Sequence, residues 1–569
     1  MYLDFLVEVP KVAGKITRKT KNGITYINYE YGREYDPERR FNIPKRVTIG
    51  KESKEDSSRM QPNQNYLTYF PEVELPSVRY EDKRSCCMRT GAYLVLNKIA
   101  EDIKLPDILG HHFDQDDKEL LLDLMYYSII CENNAAQYYP DYGYNHPLVN
   151  SRMHIYSDSK ISDFLKSITI DQRVGFLNEW NESRDHREKI YISYDSTNKN
   201  SQAGDLRLVE YGYAKDDKGL PIINYSMAYD TQNREPLFYE EYPGSIVDIS
   251  QLQYMLEKAQ GYGYKQVGFI LDRGYFCKEN IEFMDKCGYD FVMMVKGMSD
   301  LVNELIMINK GRFENKRECN IRKYGVYGTT VKRKLYVTDD RDRYFHIYHS
   351  RGKMASEAEA VEDKIERLSA YLDRKKGEIY EPTESVKEYF DTFCDNGTFL
   401  FAREKKDVIE REIALCGYFC IVTSKKMTAK EAIELYKSRD ASEKLFRGDK
   451  SYLGNNSYRV YTDEAVSAKI FIEFVALILR SKMYTLLKDE EEKLDSRPNY
   501  MTVPAAIREL EKIEMIRGLD RKYRLDHAIT ATQKTILGSF NMDSRYIKDR
   551  VARLSERIRI ADEGATVTE

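Results

Sequence analysis

The chain has 569 residues, 42% of them hydrophobic and 32% charged, which is too long for one core and too apolar for intrinsic disorder; roughly three or four domains are expected. A formal net charge of −4 hides a local imbalance, with basic ends (KITRKTKNG and ERRFNIPKR early, RKYR and RYIKDRVARLSERIRI late) around a mixed middle, and either phosphate contacts or a solvated basic face suits such patches. Nine cysteines without a CxxC pair or zinc-type histidine spacing support neither a disulfide framework nor a zinc finger, and the N-terminus lacks the basic start and long apolar run of a signal peptide, so reduced thiols in a cytoplasm are expected.

Residues 1–84 read as a basic β-rich region of short strands, with KNG before ITYINYEY as a hairpin signal. Residues 85–187 change to apolar spacing of three and four in AYLVLNKIAEDI, KELLLDLMYYSII and ISDFLKSI. That helical region is read as a DNA-docking module, a plain bundle being the alternative. His111 and His112 lack partners at metal-ligand spacing and are taken as packing residues, as are Cys416 and Cys420 further on.

At 188 the period becomes two. KIYISYD is a strand expected to end on Asp195, LPIINYSMAYD and PLFYEEYPG form a hairpin, and Ser250 is a candidate N-cap for QLQYMLEKAQ. QVGFILD is a strand ending on Asp272; the helix KENIEFMDKCG and the strand YDFVMMVK complete a β-α-β unit. Residues 188–300 thus give the first part of a mixed sheet covered by helices. Residues 301–425 are too long for a loop and are read as a β-rich insertion around one charged helix, with strands KRKLYVTDD, RYFHIYHS, GTFLFAREKK and EREIALCGYFCIVTS. Residues 426–487 return to the core, where AVSAKIFIEFVALILRSKMYTLL is a buried helix that contains Glu473 and is too short in its apolar run to span a bilayer. Residues 488–569 form a helical, basic C-terminal tail whose final GATVTE is expected to fray.

The stretch YKSRDASEKLFRGDK, from Tyr436, carries an unusual set of groups. A capping box at Thr428 and Glu431 starts a helix, and at roughly 100° per residue Tyr436, Arg439, Glu443 and Lys450 fall in a stripe about 60° wide. Gly448 is a candidate helix end that would leave Lys450 on the following turn. A charged helix face alone is ordinary. Two aspartates at strand ends plus a glutamate on a late helix, however, supply the open acidic cluster that hard divalent cations take, and two such ions serve phosphodiester cleavage.

With every spacer matching Y-x2-R-x3-E-x6-K, and with YDST around Asp195 and LDRGYF around Asp272, residues 186 to 485 resemble bacterial insertion-sequence transposases of the DDE type, in the group marked by the YREK signature. The resemblance implies an α/β, RNase H-like catalytic core interrupted by the β-rich insertion. It implies that Asp195, Asp272 and Glu443 are catalytic ligands of two Mg²⁺ (or Mn²⁺) ions, and that Tyr436, Arg439 and Lys450 hold the DNA backbone. The implied partners are double-stranded DNA, as terminal inverted repeats and target, and a second copy of the chain in a homodimer. The implied reaction is cleavage at the element ends and transfer of the freed 3′-hydroxyls to target DNA, with magnesium-dependent endonuclease chemistry. Some relatives flip a base against tryptophans of the insertion; Trp180, the single tryptophan here, precedes the core, and Tyr344 or Phe345 is the candidate substitute, ordinary packing being the other reading. Two alternatives share the residues: a nuclease of similar fold without strand transfer, and a DNA-binding domesticated protein without catalysis.

Overall fold

A computed structural model describes the chain apart from residues 1, 4, 22, 38–39, 54–55, 73–83, 185–188, 202–205, 213–219, 247, 265, 297, 454–456, 459, 495–497, 519–520 and 566–569, and apart from the side chains of residues 248–250, 299, 447, 449, 451–452, 457 and 563–565. Two compact units divide it, one of residues 1–164 with 483–569 and one of residues 165–482. Among the described residues no helix is long and apolar enough to cross a membrane.

The first unit opens with an antiparallel five-stranded sheet, in spatial order Val7–Glu8, Arg59–Pro62, Phe41–Glu52, Ile24–Asp36, Ile16–Lys21. The expected hairpin is there, with Lys21 opposite Ile24, although residue 22 of its KNG turn lies outside the described residues. Alternation places Ile27, Ile49 and Met60 on one face, and Tyr66 of a short helix covers them. Helices Gly91–Asp102, Leu105–His112 and Gln115–Cys131 follow as the apolar spacing requires, but His111 at a helix end is exposed. The C-terminal tail contributes helices Val503–Leu510, Ala531–Gly538 and Ser544–Ala565; of the GATVTE end, residues 564–565 are helical and the remaining four lie outside the described residues. It also contains a hairpin that the helical reading missed: Glu514–Arg517 pairs with Tyr523–Leu525 and with Cys87–Arg89.

The second unit is built on a ten-stranded mixed sheet. Its main strands are β1 (Ile190–Ser201), β2 (Ile222–Asp230), β3 (Glu235–Pro243), β4 (Val267–Leu271), β5 (Asp290–Met294), β6 (Val326–Lys334), β7 (Asp342–His349) and β8 (Tyr418–Thr423). Across the sheet they run β6-β7-β8-β5-β4-β1-β2-β3, with Asn320–Ile321 outside β6 and Ser457–Tyr458 beside the end of β1. β4 and β5 are parallel to β1 and are short apolar runs, as expected of strands covered on both faces. Three helices complete the site: α1 (Ala429–Lys437), α2 (Asp440–Tyr452) and α3 (Asp463–Glu491). α3 is buried along its apolar run, and Phe474 packs on Tyr239 of β3. The helix Ile170–Glu182 belongs to this unit, and Trp180 on it is fully buried with Nε1 donating to the Pro236 carbonyl.

Several expectations change. β1 does not end at Asp195 but continues through Ser201, held by β2 along that length. Ser250 lies inside the helix Asp248–Gly261, so it is not the N-cap. The segment 301–425 is only partly an insertion, because β6, β7 and β8 extend the main sheet. The excursion proper lies between β7 and β8, where helices Arg351–Arg374 and Lys406–Leu415 and the ribbon Phe390–Asp395/Thr398–Glu404 share a core of Val361, Ile365, Val386 and Phe399. EREIAL is helical, with Ile409 and Ile413 four residues apart against that core; Gly417, at φ +83°, then turns the chain into β8. The strand expected over KRKLYVTDD is Val326–Lys334, so LYVTDD falls beyond it. Cys420 is buried in β8 and Cys416 at the preceding turn, as packing residues should be, and all nine cysteines are free thiols. Phe345 is likewise buried.

Candidate active site

β1 and β4 run parallel with Tyr194 opposite Leu271 as their last register pair. The next residue on each is an aspartate. Asp195 and Asp272 therefore leave adjacent strands, roughly 5 Å apart at the backbone, on the same face of the sheet. Asp195 Oδ1 accepts from the Ser196 N–H at 2.8 Å, and Asp272 Oδ1 from the Arg273 N–H at 2.7 Å, where β4 gives way to a single 3₁₀ turn. That turn, the RGY of LDRGYF, carries Tyr275, whose hydroxyl reaches Ser196 Oγ at 3.1 Å and whose ring packs on Tyr194. The two aspartate motifs are thus tied to each other beside the carboxylates.

The third acid arrives on a helix docked to the same face. The capping box is present, with Thr428 Oγ1 accepting from the Glu431 N–H and Glu431 Oε2 from the Thr428 N–H. α1 lays Tyr436 into a core with Ile270 and Val292. The helix is then interrupted: Ser438 and Arg439 form a turn, and α2 restarts at Asp440. The single continuous stripe is replaced by two helices with Arg439 at their junction. Ser442, one turn into α2, donates its hydroxyl to the Arg439 carbonyl at 2.8 Å and stands 2.8 Å from Ser193 Oγ, both serines being fully buried. Since the Ser442 proton is engaged, Ser193 is the donor of that second bond. Ser193 lies two residues before Asp195, as Ile270 lies two before Asp272; alternation puts each anchor on the face of its aspartate.

Arg439 binds the acids together. Nη1 is 3.1 Å from Asp272 Oδ1, and Nη2 pairs with Glu443 Oε1. Its side chain is only 12% exposed, against 40% for Asp272 and 47% for Glu443. Burial works against its charge, but Tyr436, Asp272, Glu443 and Asp195 outweigh burial and raise its pKa. Two of the three carboxylates, those of Asp272 and Glu443, thus pair with one cation, and Asp195 adds to the field that holds its charge. The guanidinium lies 5.4 Å from the centre of the Tyr436 ring, and its Nε is buried without a hydrogen-bond partner. Tyr436 itself is buried, and burial first, with Asp272 and Glu443 adding, pushes its hydroxyl up to about 12 although Arg439 pulls the other way.

Lys450 remains on α2. Gly448 does not end the helix, which runs to Tyr452; the glycine instead admits Arg480, whose Nε would stand 3.1 Å from a Cβ there. Seven residues beyond Glu443, Lys450 is on nearly the same helix face, about 10 Å further along. Farther along β1, on the Asp195 face, Lys199 is buried and donates to Glu473 of α3 at 2.5 Å, while the Tyr458 hydroxyl donates to the same oxygen at 2.6 Å. Sequence reasoning missed this pair, and missed Ser193 and Ser442, although a lysine in a sheet strand and a glutamate in an apolar helix are a readable signal for a buried partner.

The donor set, carboxylate oxygens that are partly exposed, suits a hard divalent cation. Among the described residues, however, no three His, Cys, Asp or Glu side chains are gathered tightly enough to form a metal cluster. The cationic group that Asp272 and Glu443 share is Arg439, so positive charge is accommodated between these two acids.

On this mixed sheet Asp195, within β1, and Asp272, just past the end of β4, lie side by side, with Glu443 on a helix laid over them, giving an acidic face. The family described as Transposase DDE domain matches residues 194–479, just over half of the chain, and the chain belongs to it. The chain thus carries a DDE transposase domain, and membership of this family implies divalent metal ions in general. No curated protein matches the sequence. Among solved structures, the cryo-EM structure of a piggyBac transposase synaptic complex with hairpin DNA is similar over 70% of this chain and 65% of its own, at 8% identity and a TM-score of 0.31. The chain thus spans less than two thirds of that protein, a likeness too slight to bear on the fold.

Proposed function

We propose that the protein is a cut-and-paste transposase of the YREK-signature group, with an RNase H-like core, that cleaves DNA at terminal inverted repeats and joins the freed 3′-hydroxyls to target DNA. The observation that carries this reading is Arg439, ion-paired to Asp272 and Glu443 while Asp195 stands on the neighbouring strand. Asp272 and Glu443 come from distant segments to one guanidinium, and Asp195 leaves the strand beside Asp272, which supports assigning a divalent ion to these acids. Asp195, Asp272 and Glu443 would hold Mg²⁺ or Mn²⁺, two ions in the working assembly; when bound, such ions activate the attacking oxygen and stabilise the leaving one.

The chain's own groups do the rest. Arg439 carries a planar fork that fits phosphate as well as carboxylate, so DNA entering the site competes with the acids for it. Tyr436 fixes the guanidinium from below, acting through Arg439. Lys450 supplies a point charge two turns along the same face, suited to a neighbouring phosphate. The Ser193–Ser442 bond and the Tyr275–Ser196 bond hold the helix and the first turn against the strands that bear the acids. A homodimer is proposed because two element ends must be cut and joined together. Linear DNA carrying the inverted repeats that flank the coding region, incubated with Mg²⁺ and a target plasmid, is expected to give double-strand cuts at the repeats and joined products. Cuts without joining would reduce the protein to a nuclease, and binding without cutting would remove catalysis.

A further inference from the structure

A cleft of about 680 Å³ lies between β6 and the start of α1, away from the acids, and has no part in the site described above. Lys332, Lys426, Lys430, Thr330 and Tyr344 line it together with one carboxylate, Glu318. Two distant segments feed it: residues 316–334 and 425–430 hold ten lysines and arginines and a single acidic residue, Glu318. Some of these charges are neutralised, Lys332 by Asp342, Arg333 by Glu304 and Lys425 by Asp290. Lys426 and Lys430 are exposed, and the neighbouring Glu431, an acidic influence on Lys430, is itself engaged by Thr428.

The walls of the cleft are fixed. Gly328 lets α1 approach β6 so closely that a Cβ there would meet the Ala429 Cβ at 2.9 Å and the Tyr348 ring at 3.0 Å. The Tyr348 hydroxyl donates to the Ala429 carbonyl at 2.6 Å, and buried His346 holds Thr330 Oγ1 at 2.9 Å. A solvated charged face needs neither concavity nor such support. Exposed ammonium groups beside hydroxyls on a rigid hollow are what a chain of phosphates recognises.

We infer that this cleft binds backbone phosphates of the DNA duplex flanking the reacting end, an inference that rests on the function proposed above. α1 joins the two places. From Thr428 at the cleft to Tyr436 beneath Arg439 the helix rises about 12 Å, or between three and four base-pair steps at 3.4 Å each. Lys426 and Lys430 thus engage the duplex a few pairs from the cut.

The test is fluorescence anisotropy of a labelled 30-base-pair DNA duplex with the full chain, titrated between 50 and 200 mM salt. With each lost phosphate contact worth about 0.9 in the slope of log K against log salt, Lys426→Ala/Lys430→Ala is expected to flatten the slope by about 1.8. The wild type should accordingly lose about 12-fold more affinity than the variant over that fourfold range. Lys426→Arg/Lys430→Arg should bind as wild type, as should Lys364→Ala/Lys376→Ala on the excursion, and circular dichroism should be unchanged throughout. A wild-type slope in the alanine variant, with DNA binding intact, overturns the cleft assignment and leaves the proposed function standing. Failure of the wild type itself to bind duplex DNA overturns both, and stronger binding to a matched RNA duplex assigns the cleft to another ligand and overturns it.

Discussion

Ser193 and Ser442 lie 249 residues apart, yet their side-chain oxygens meet at 2.8 Å in a fully buried contact. Ser442 precedes Glu443, and Ser193 is two residues before Asp195, so one small contact sets the distance between two of the three acids. Ser442→Ala leaves the Ser193 hydroxyl without its acceptor and should cost about 1–3 kcal/mol. Adding Ser193→Ala should return part of that cost, since both partners are then gone. Urea denaturation of the single and double variants gives the coupling. DNA cleavage should fall at least tenfold in Ser442→Ala, by misplacing Glu443; unchanged cleavage would show that the contact is only structural.

Arg439 shares its guanidinium between Asp272 and Glu443. Both carboxylates are partly exposed, so solvent screening leaves the two pairs worth on the order of 1 kcal/mol together. Arg439→Gln should therefore bind Mn²⁺ severalfold more tightly in the absence of DNA, measured by isothermal titration calorimetry, while binding DNA less well. An unchanged Mn²⁺ affinity would mean that the arginine and the ion do not compete.

The buried Lys199–Glu473 pair makes a different kind of contribution. Lys199→Met removes the cation from a buried carboxylate that also accepts from the Tyr458 hydroxyl, and breaking such a pair costs about 3–5 kcal/mol. Lys199→Met/Glu473→Leu should recover most of this, because neither charge of the pair then remains buried. The midpoints of urea unfolding order the three proteins.

His346 carries an acid sensitivity. Burial pushes its imidazole down to about 4 from 6.5, where its nitrogens contact Thr330 Oγ1 at 2.9 Å and Thr423 Oγ1 at 3.0 Å. Between those values the unfolded chain binds a proton that the folded chain does not. Its contribution is thus complete above pH 6.5 and is lost as the pH falls toward 4, a change of up to about 3 kcal/mol. His346→Gln should lower stability at pH 7 yet flatten its decline between pH 6.5 and 4.5 in thermal melts.

Much of the candidate site's local structure was legible because its acids sit in fixed local contexts. The apolar run QVGFIL ends at Asp272 by simple exhaustion of its pattern, and a capping box marks the start of α1 wherever it occurs. β1 was harder: its polar continuation STNKNS reads as a loop, but β2 on one side and Ser457–Tyr458 on the other bury it as strand. The break at Ser438–Arg439 has no propensity signal, since both residues fit a helix; the turn is fixed by where Tyr436 and Ser442 dock. Gly448 looked like a helix end because a sequence does not show Arg480 packing against it. The excursion between β7 and β8 hid a helix in EREIAL, whose short apolar spacing fits either period.

The most direct measurement is metal-dependent cleavage by Asp195→Asn, Asp272→Asn and Glu443→Gln, each compared with wild type on supercoiled plasmid and on DNA bearing the inverted repeats. Each substitution removes a charge and keeps the shape, so folding should be unchanged while cleavage falls by at least a thousandfold in all three. Wild-type cleavage by any one of the variants would contradict the assignment of that carboxylate to the catalytic site.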